Sequence, residues 1–454
     1  MRINLGSFPT SLMVAASLIL LSETVAAQDW QLVPSPSPSS FENVFRAVSG
    51  SSPSDIWAVG SYNTSSIPLR KYNFAAHYDG NQWTQYTVPN LGPTYNILMG
   101  VATLSPTDAW AVGAYNPPGP AQMTILRWDG NVWNDYGAPW IDGGASLNAI
   151  KALSADDIWA VGTKAGRCAS MHWDGSNWND IEVPRVGDRI NRFWAVDGTS
   201  PDNVWAAGRH ADEYGTFNPL IMKWDGSSWN HIPGPPGAIA VLNDIEVISP
   251  NDVWTSGVTV DGQPQFFHWD GNSVTVEQSP GGGRSLTSIS ADDIWSVDAN
   301  TVVHWDGSQW GMVQSPSSAH SFAVELIPGG ELWAVGTRYE GGIPWSMTMR
   351  YSLLTGVEDE GLALNPTEFR LHQNYPNPFN ASTTISFSLT EPVAVSLRIH
   401  DLLGRTVATI LDQSQQRAGD HQITWDAERF SSGVYFYRLQ IGDKTETRRM
   451  VLLK

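Results

Sequence analysis

The 454 residues exceed one ordinary domain, and 16% charged residues with 41 Gly, 29 Pro and 22 Trp point away from helical bundles and coiled coils to an all-β, turn-rich chain. With 26 basic against 45 acidic residues the net charge is −19, which argues against the phosphate-neutralising surface that nucleic-acid binding needs. A single cysteine excludes internal disulfides and multi-cysteine zinc or iron–sulfur centres.

At the N-terminus Arg2 precedes an apolar stretch from Ser11 to Leu21, followed by Val25-Ala26-Ala27 with small residues where a signal peptidase reads. A signal peptide over residues 1–27 is expected. No stretch reaches the roughly 20 apolar residues of a spanning helix, so a transmembrane anchor is not expected and the mature chain is read as exported.

From residue 55 the chain repeats. An acidic or polar turn followed by apolar-Trp occurs at Trp57, Trp110, Trp159, Trp205, Trp254, Trp295 and Trp333, spaced 38 to 53 residues apart. A second motif follows each of the first six, as in His172-Trp173-Asp174-Gly175-Ser176-Asn177-Trp178. Short alternating segments with tight Asp-Gly turns, repeated at this period, predict four strands per unit and a seven-bladed β-propeller. In the third unit the strands are read as 147–153, 158–163, 169–173 and 178–183.

The seventh unit ends at Met349-Arg350-Tyr351-Ser352 without an Asp-Gly turn or a following Trp strand. Trp30-Gln31-Leu32-Val33-Pro34-Ser35-Pro36 shares the Trp-x-x-Val-x-Ser-Pro spacing of Trp310 to Pro316, so the N-terminal strand is expected to complete blade seven and close the ring over residues 28–353. The repeats loosely resemble Trp-rich propeller families such as tectonin-like lectins, Asp-box proteins and kelch proteins. The Asp-to-Gly spacing departs from the Asp-box pattern, and the Gly-His pair of WD repeats is absent.

A linker at 354–365 leads to a third segment. It carries Tyr375-Pro376-Asn377-Pro378-Phe379-Asn380, then Asp401-Leu402-Leu403-Gly404, Ala418-Gly419, Trp425, Ser432-Gly433-Val434-Tyr435 and a terminal Met450-Val451-Leu452-Leu453-Lys454. These motifs, in this order over residues 366–454, resemble the type A C-terminal sorting domain of type IX secretion cargo, which is similar to the Ig-like domain of flagellar hook-capping proteins. The resemblance implies a small Ig-like β-sandwich, recognition by the type IX outer-membrane machinery, and delivery to the cell surface or medium. Ala381 stands where the family commonly has Pro, with little consequence expected. Alternation at Ile385, Phe387 and Leu389, at Val395, Leu397 and Ile399, and at Val434, Phe436 and Leu439 agrees with short strands facing one core. An ordinary surface Ig-like module is the alternative.

No nucleophile elbow, zinc-binding helix, phosphate loop or calcium loop occurs; no catalytic residue, metal or cofactor is assigned. His77, His172, His268 and His304 recur on different blades, where they cannot converge on one ion, and are read as structural. Eighteen of the 22 tryptophans fall in the repeat register and are read as packing between blades. Three propeller tryptophans do not: Trp140, Trp194 and Trp345.

In a four-stranded blade the Ser-Pro-x-Asp and Asp-Gly turns share one face, and the loops that vary in length lie on the other, where recognition is expected. The candidate ligand contacts are Trp140 and Trp345 with Arg70, Lys71, Tyr115 and Tyr214. Asn148, Asn191 and Asn243, with Asn43, are placed together at the starts of innermost strands, to bind sugar hydroxyls or to cap strand ends through water. Trp194 is read as a channel plug. The expected function is an exported glycan- or protein-binding module; an extracellular polysaccharide hydrolase or lyase is the alternative, with Asp142, Asp188, Asp212 and Glu213 as unpaired acidic candidates near the mouth.

Overall fold

The structure, a computed structural model, describes residues 30–353 and 370–452 apart from 65–69, 188, 236–239, 260, 317–318, 372–373, 375–378, 390–391, 402–404, 417–418, 428 and 443. The expected signal peptide and the linker lie outside the described residues.

Alternating apolar segments of four to eleven residues cannot each bury two faces alone, so they stack. Residues 30–353 form seven four-stranded antiparallel sheets, and in six of them the spatial order follows the chain from the innermost to the outer strand. Blade three is typical, with strands Ala145–Ser154, Asp157–Lys164, Arg167–Trp173 and Trp178–Asp180. The seventh sheet combines Ala319–Ile327, Glu331–Glu340 and Ile343–Ser352 with Gln31–Val33, whose register is Gln31 with Arg350, Leu32 with Met349 and Val33 with Thr348.

The core is divided into one apolar layer per blade junction. At its centre the second-strand tryptophan of one blade meets the aromatic ring ending the third strand of the next, usually with an outer-strand tryptophan as well. Trp57 lies 5.0 Å from both Trp128 and Trp133, and Trp110 lies 5.2 Å from Trp173 and 5.5 Å from Trp178. At the junction of blades six and seven, Trp295 meets Tyr351 and Trp30 at 4.7 and 6.2 Å. Trp30 therefore occupies the place that an outer-strand tryptophan fills elsewhere.

Five of the seven second-strand tryptophans also carry a polar cover held by an aspartate. His77, His172, His268 and His304 place Nε2 2.7 to 2.8 Å from Asp55, Asp157, Asp252 and Asp293, with their rings 4.2 to 4.8 Å from the tryptophan two residues beyond each aspartate. In blade two Arg127 takes this place, paired with Asp108 and lying 4.8 Å over Trp110. The imidazoles are thus held by carboxylates within their own blades.

The Asp-Gly turns are tight for a stated reason. Each aspartate accepts two backbone N–H groups, as Asp174 does from Ser176 and Asn177, and Gly175 takes a φ of 89°, which is open to glycine at little cost. On the second strand, a Cβ on Gly60, Gly113, Gly162, Gly208, Gly257 or Gly336 would lie 1.9 to 2.4 Å from a carbonyl oxygen of the innermost strand. This close approach accompanies a β-bulge in the innermost strand of those six blades. In blade six Asp298 replaces the glycine, and the innermost strand shortens to Ser285–Ser290.

The C-terminal unit packs a three-stranded sheet, in the order Arg370–Leu371, Ser382–Leu389, Gly419–Asp426, with a four-stranded one, in the order Thr406–Gln416, Val393–His400, Gly433–Ile441, Lys444–Leu452. The two sheets share a core of Ile385, Phe387, Leu389, Val395, Leu397, Ile399 and Trp425. One expectation is corrected: Tyr435, Tyr437 and Leu439 face this core, whereas Val434 and Phe436 are only half-buried. Val434 and Phe436 share their face with Arg438 and Gln440, whereas Leu439 shares the parity of Tyr435 and Tyr437, so two apolar residues at one end of the strand mislead about which face turns inward. Ala381 has a φ of 63°, which proline cannot adopt, so the turn after Phe379 departs from a proline-bearing one.

Trp30 is 3% exposed between Trp295 and Tyr351, and truncating a buried tryptophan typically costs about 3–5 kcal/mol. Trp30→Ala should lower the urea midpoint of the propeller strongly, and Leu32→Ala, at a side chain 40% exposed, should change it little. Equal midpoints for Trp30→Ala and the parent chain would refute the closure.

Candidate functional site

The ring places equivalent residues of the seven innermost strands around one central channel. Counting back eleven positions from each second-strand tryptophan gives Arg46, Met99, Asn148, Trp194, Asn243, Arg284 and Phe322. Six are the extra residues of the bulges, and Arg284 directly precedes the shortened strand of blade six. All seven are partly exposed while their neighbours are largely buried. Cross-blade contacts fix three of them: the guanidinium carbons of Arg284 and Arg46 lie 4.3 and 5.9 Å from the centroid of Phe322, which stands on the blade between theirs. This tier lies towards the varied loops and forms the channel mouth.

Eight positions back from the same tryptophans lies a deeper tier containing Lys151, Asp197, Glu246 and Glu325. Lys151 Nζ sits 2.6 Å from Asp197 Oδ1. The carboxylates also stitch neighbouring blades: Asp197 accepts the Val247 N–H, Asp244 accepts from Leu286 N and Ser285 Oγ, and Glu246 accepts from Ser288 N and Oγ. Burial raises the pKa of Asp244 to about 6 and of Glu325 to about 7; burial, reinforced by the Asp197 charge, also raises that of Glu246.

The asparagines expected to be equivalent are not. Asn43 and Asn191 stand fourteen positions before their tryptophans, as Asn96 does, whereas Asn148 and Asn243 stand eleven before. Those in the first set are buried and accept backbone N–H groups from the incoming loop: Ser39 N to Asn43 and Val186 N to Asn191, each at 2.9 Å. Those in the second set lie at the mouth, and their Nδ2 groups donate to Phe193 O and Gly283 O of the next blade at 2.7 and 2.8 Å. Trp194 shares their tier and remains partly exposed, with its Nε1 buried and without a hydrogen-bond partner.

The remaining candidates are dispersed. Trp140 is 58% exposed on the connection from blade two to blade three, and Tyr214 is 83% exposed on the hairpin Asp212–Thr216. Trp345, expected in a loop, lies in the strand Ile343–Ser352, half-buried opposite Arg338, because the hairpin needs only Gly341-Gly342 to turn. Lys71 pairs with Glu42 at 3.5 Å and lies 5.9 Å over Tyr95; Arg70 is exposed, and Tyr115 ends the strand Asp108–Tyr115. Asp188 lies outside the described residues. In the C-terminal unit Phe379 is buried against Trp425, Asn380 is exposed, Gly433 opens a strand, and Tyr435 donates to Ser431 O at 2.8 Å. Tyr375, Pro376, Asn377, Pro378 and Gly404 lie outside the described residues.

Arg46, Arg284 and Phe322 were not anticipated as a group. Their shared offset from the tryptophan is visible in the sequence, but seven different side chains share one position only because the bulge re-aims it.

Residues 373–453 match the family model of the secretion system C-terminal sorting domain. The C-terminal unit is such a domain, and it marks this propeller protein for export to the outer surface or beyond. No curated protein matches the chain. Among solved structures, YCF48 bound to D1 peptide is similar with 14% identity and a TM-score of 0.48, covering 71% of this chain and 94% of the other. A mercury-derivative form of the fucose-specific lectin from Aleuria aurantia is similar with 14% identity and a TM-score of 0.38, covering 57% and 96%.

The carboxyls give a two-sided pH dependence. Asp244, Glu246 and Glu325 bind more protons folded than unfolded, so stability falls as pH rises from about 4 through their raised values. Asp79, Asp129, Asp174, Asp225, Asp270 and Asp306 are lowered by hydrogen bonds in the Asp-Gly turns; their contribution is present above about pH 4 and lost as pH falls below it. The thermal midpoint should therefore rise from pH 8 to pH 5 and drop below pH 4, with Glu325→Gln flattening the upper limb. A midpoint indifferent to pH between 5 and 8 would refute the assignment.

Proposed function

We propose that the chain is an exported binding protein: a signal peptide over 1–27, a propeller over 28–353 that holds a surface glycan or protein on its varied loop face, a linker over 354–365, and a sorting domain over 366–454 read by the type IX outer-membrane machinery. The observation that carries the binding reading is the distribution of exposed rings. Phe41, Trp140, Tyr214 and Tyr339 are each at least 45% exposed; the first three lie in connections of the varied face, and Tyr339 stands near the end of the strand Glu331–Glu340 that meets that face. Rings left in water on one face of a rigid scaffold suit stacking against sugar or protein surfaces.

The hydrolase or lyase reading has one supporting observation, Glu325, a channel carboxyl with a raised pKa and no hydrogen-bond partner among the described residues. Asp244 and Glu246 are committed to the neighbouring blade, which leaves binding the better account.

Two experiments test the proposal. The chain is screened against a glycan panel and a surface extract, and a Trp140→Ala/Tyr214→Ala variant should bind at least roughly fivefold more weakly with an unchanged melting point, because both rings are exposed. Full affinity in that variant refutes the loop site, and turnover of a bound glycan favours the enzyme. Removing residues 366–454 should retain the propeller in the periplasm of a host with a type IX system; normal secretion of the truncated chain would refute the sorting role.

A further inference from the structure

The channel mouth contains an electrostatic arrangement that the fold does not neutralise. Arg46 and Arg284 reach the same Phe322 ring from opposite neighbouring blades, and neither side chain has a hydrogen bond or an ion pair among the described residues. The nearby carboxylates act only at a distance: Glu42, engaged by Lys71 and Asn63, acts on Arg46 and Asp298 acts on Arg284, with no salt bridge to either arginine among the described residues. Two cations beside one ring disfavour each other, a cost offset when an anion sits against both.

The rest of the tier adds matching groups. Trp194 Nε1 is buried beneath a partly exposed ring and has no hydrogen-bond partner among the described residues. Asn148 and Asn243 are oriented by their Nδ2 bonds, which leaves each Oδ1 without a protein donor. The mouth therefore presents two guanidiniums for an anion, an apolar ring between them, and amide oxygens able to accept from hydroxyl groups. Below it the deeper tier is mainly acidic, with Asp197, Glu246 and Glu325 against Lys151. The lysine of that deeper tier is held by Asp197, so the guanidiniums at the mouth are the place for an anion.

We infer that the mouth is a binding site for a carboxylate-bearing sugar, a uronate residue of an acidic glycan, with its carboxylate held by Arg46 and Arg284 and its ring against Phe322. This deepens the binding reading above and rests on it. A uronate combines in one unit the three features the tier offers to meet: a planar anion for the guanidinium forks, an apolar ring face, and hydroxyls for Asn148 and Asn243. An acidic peptide supplies the anion without the array of hydroxyls. The chain's overall charge of −19 makes this local reversal of sign a selective feature, because anionic polymers are repelled elsewhere on the molecule.

The test titrates the whole chain calorimetrically with oligogalacturonate, oligoglucuronate and oligomannuronate, with the carboxyl-reduced form of the best binder, and with oligoglutamate. At least one uronate should bind, with affinity falling as salt rises, and its carboxyl-reduced form should bind at least tenfold more weakly. Arg46→Gln and Arg284→Gln should each weaken binding roughly 10- to 100-fold with at most a small fall in the melting point, since each loses only its contact with Phe322. If a Gln variant melts earlier, the Lys variants carry the test: they keep the charge and lose the fork, and a tenfold loss supports the site while unchanged binding overturns it. Equal binding of the carboxyl-reduced sugar, wild-type affinity in the Gln variants, or preference for oligoglutamate would overturn the inference. Loop-face binding of neutral glycan or protein without uronate binding overturns this inference alone; no loop-face binding of any kind overturns both readings.

Discussion

The propeller depends on aromatic contact between a tryptophan of one blade and the rings that end the next. Among the described residues neighbouring blades share only isolated backbone bridges, such as Ser321 N to Ala299 O, so their attachment falls mainly to side chains, and the large rings supply most of it: Trp57 on Trp128 and Trp133, Trp110 on Trp173 and Trp178, Trp159 on Trp224 and Trp229, Trp254 on Trp305 and Trp310. Blade five lacks an outer tryptophan, and Val274 stands beside Trp269 instead. The arrangement explains why 22 tryptophans coexist with a net charge of −19. Their rings are consumed at the junctions, and the Asp–His or Asp–Arg pairs cover their edges.

A ring built this way must still satisfy the innermost strands, whose inward N–H groups have no strand to pair with. Asp197, Asp244, Glu246, Ser285 and Thr287 accept those N–H groups from the following blade. Three of the channel carboxyls, Asp197, Asp244 and Glu246, are thus occupied by joining blades, which gives them a structural duty and explains why acid groups clustered on the axis need not indicate catalysis. The two arginines of the mouth tier differ in kind, because Arg46 and Arg284 touch the Phe322 ring and make no hydrogen bond or ion pair among the described residues.

The blade count, the Asp-Gly turns and the sorting unit were legible in the sequence because each follows from a repeated local pattern. The mouth was not, since Arg46, Met99, Trp194 and Phe322 share a position without sharing chemistry, and only the bulge reveals that they meet. Asn191 and Asn148 were grouped by residue type although they lie in registers three residues apart. Only Asn148 reaches the mouth. In the C-terminal unit the strand bearing Tyr435 and Tyr437 was assigned the wrong inward face, because both of its faces carry aromatic or apolar side chains.

The closure of blade seven governs how the molecule bears load. Val33 accepts a hydrogen bond from Thr348, a residue 315 positions away, so the ring can be completed only after almost all of the propeller chain is available, a topology that favours late and slow closure. The last propeller strand, Ile343–Ser352, then has a partner on each side, Gln31–Val33 on one and Glu331–Glu340 on the other. Tension arriving through the C-terminal segment acts first on this doubly flanked strand and must shear two ladders together before the ring opens. A propeller tethered by its C-terminal end is in this way protected at the point where traction is applied.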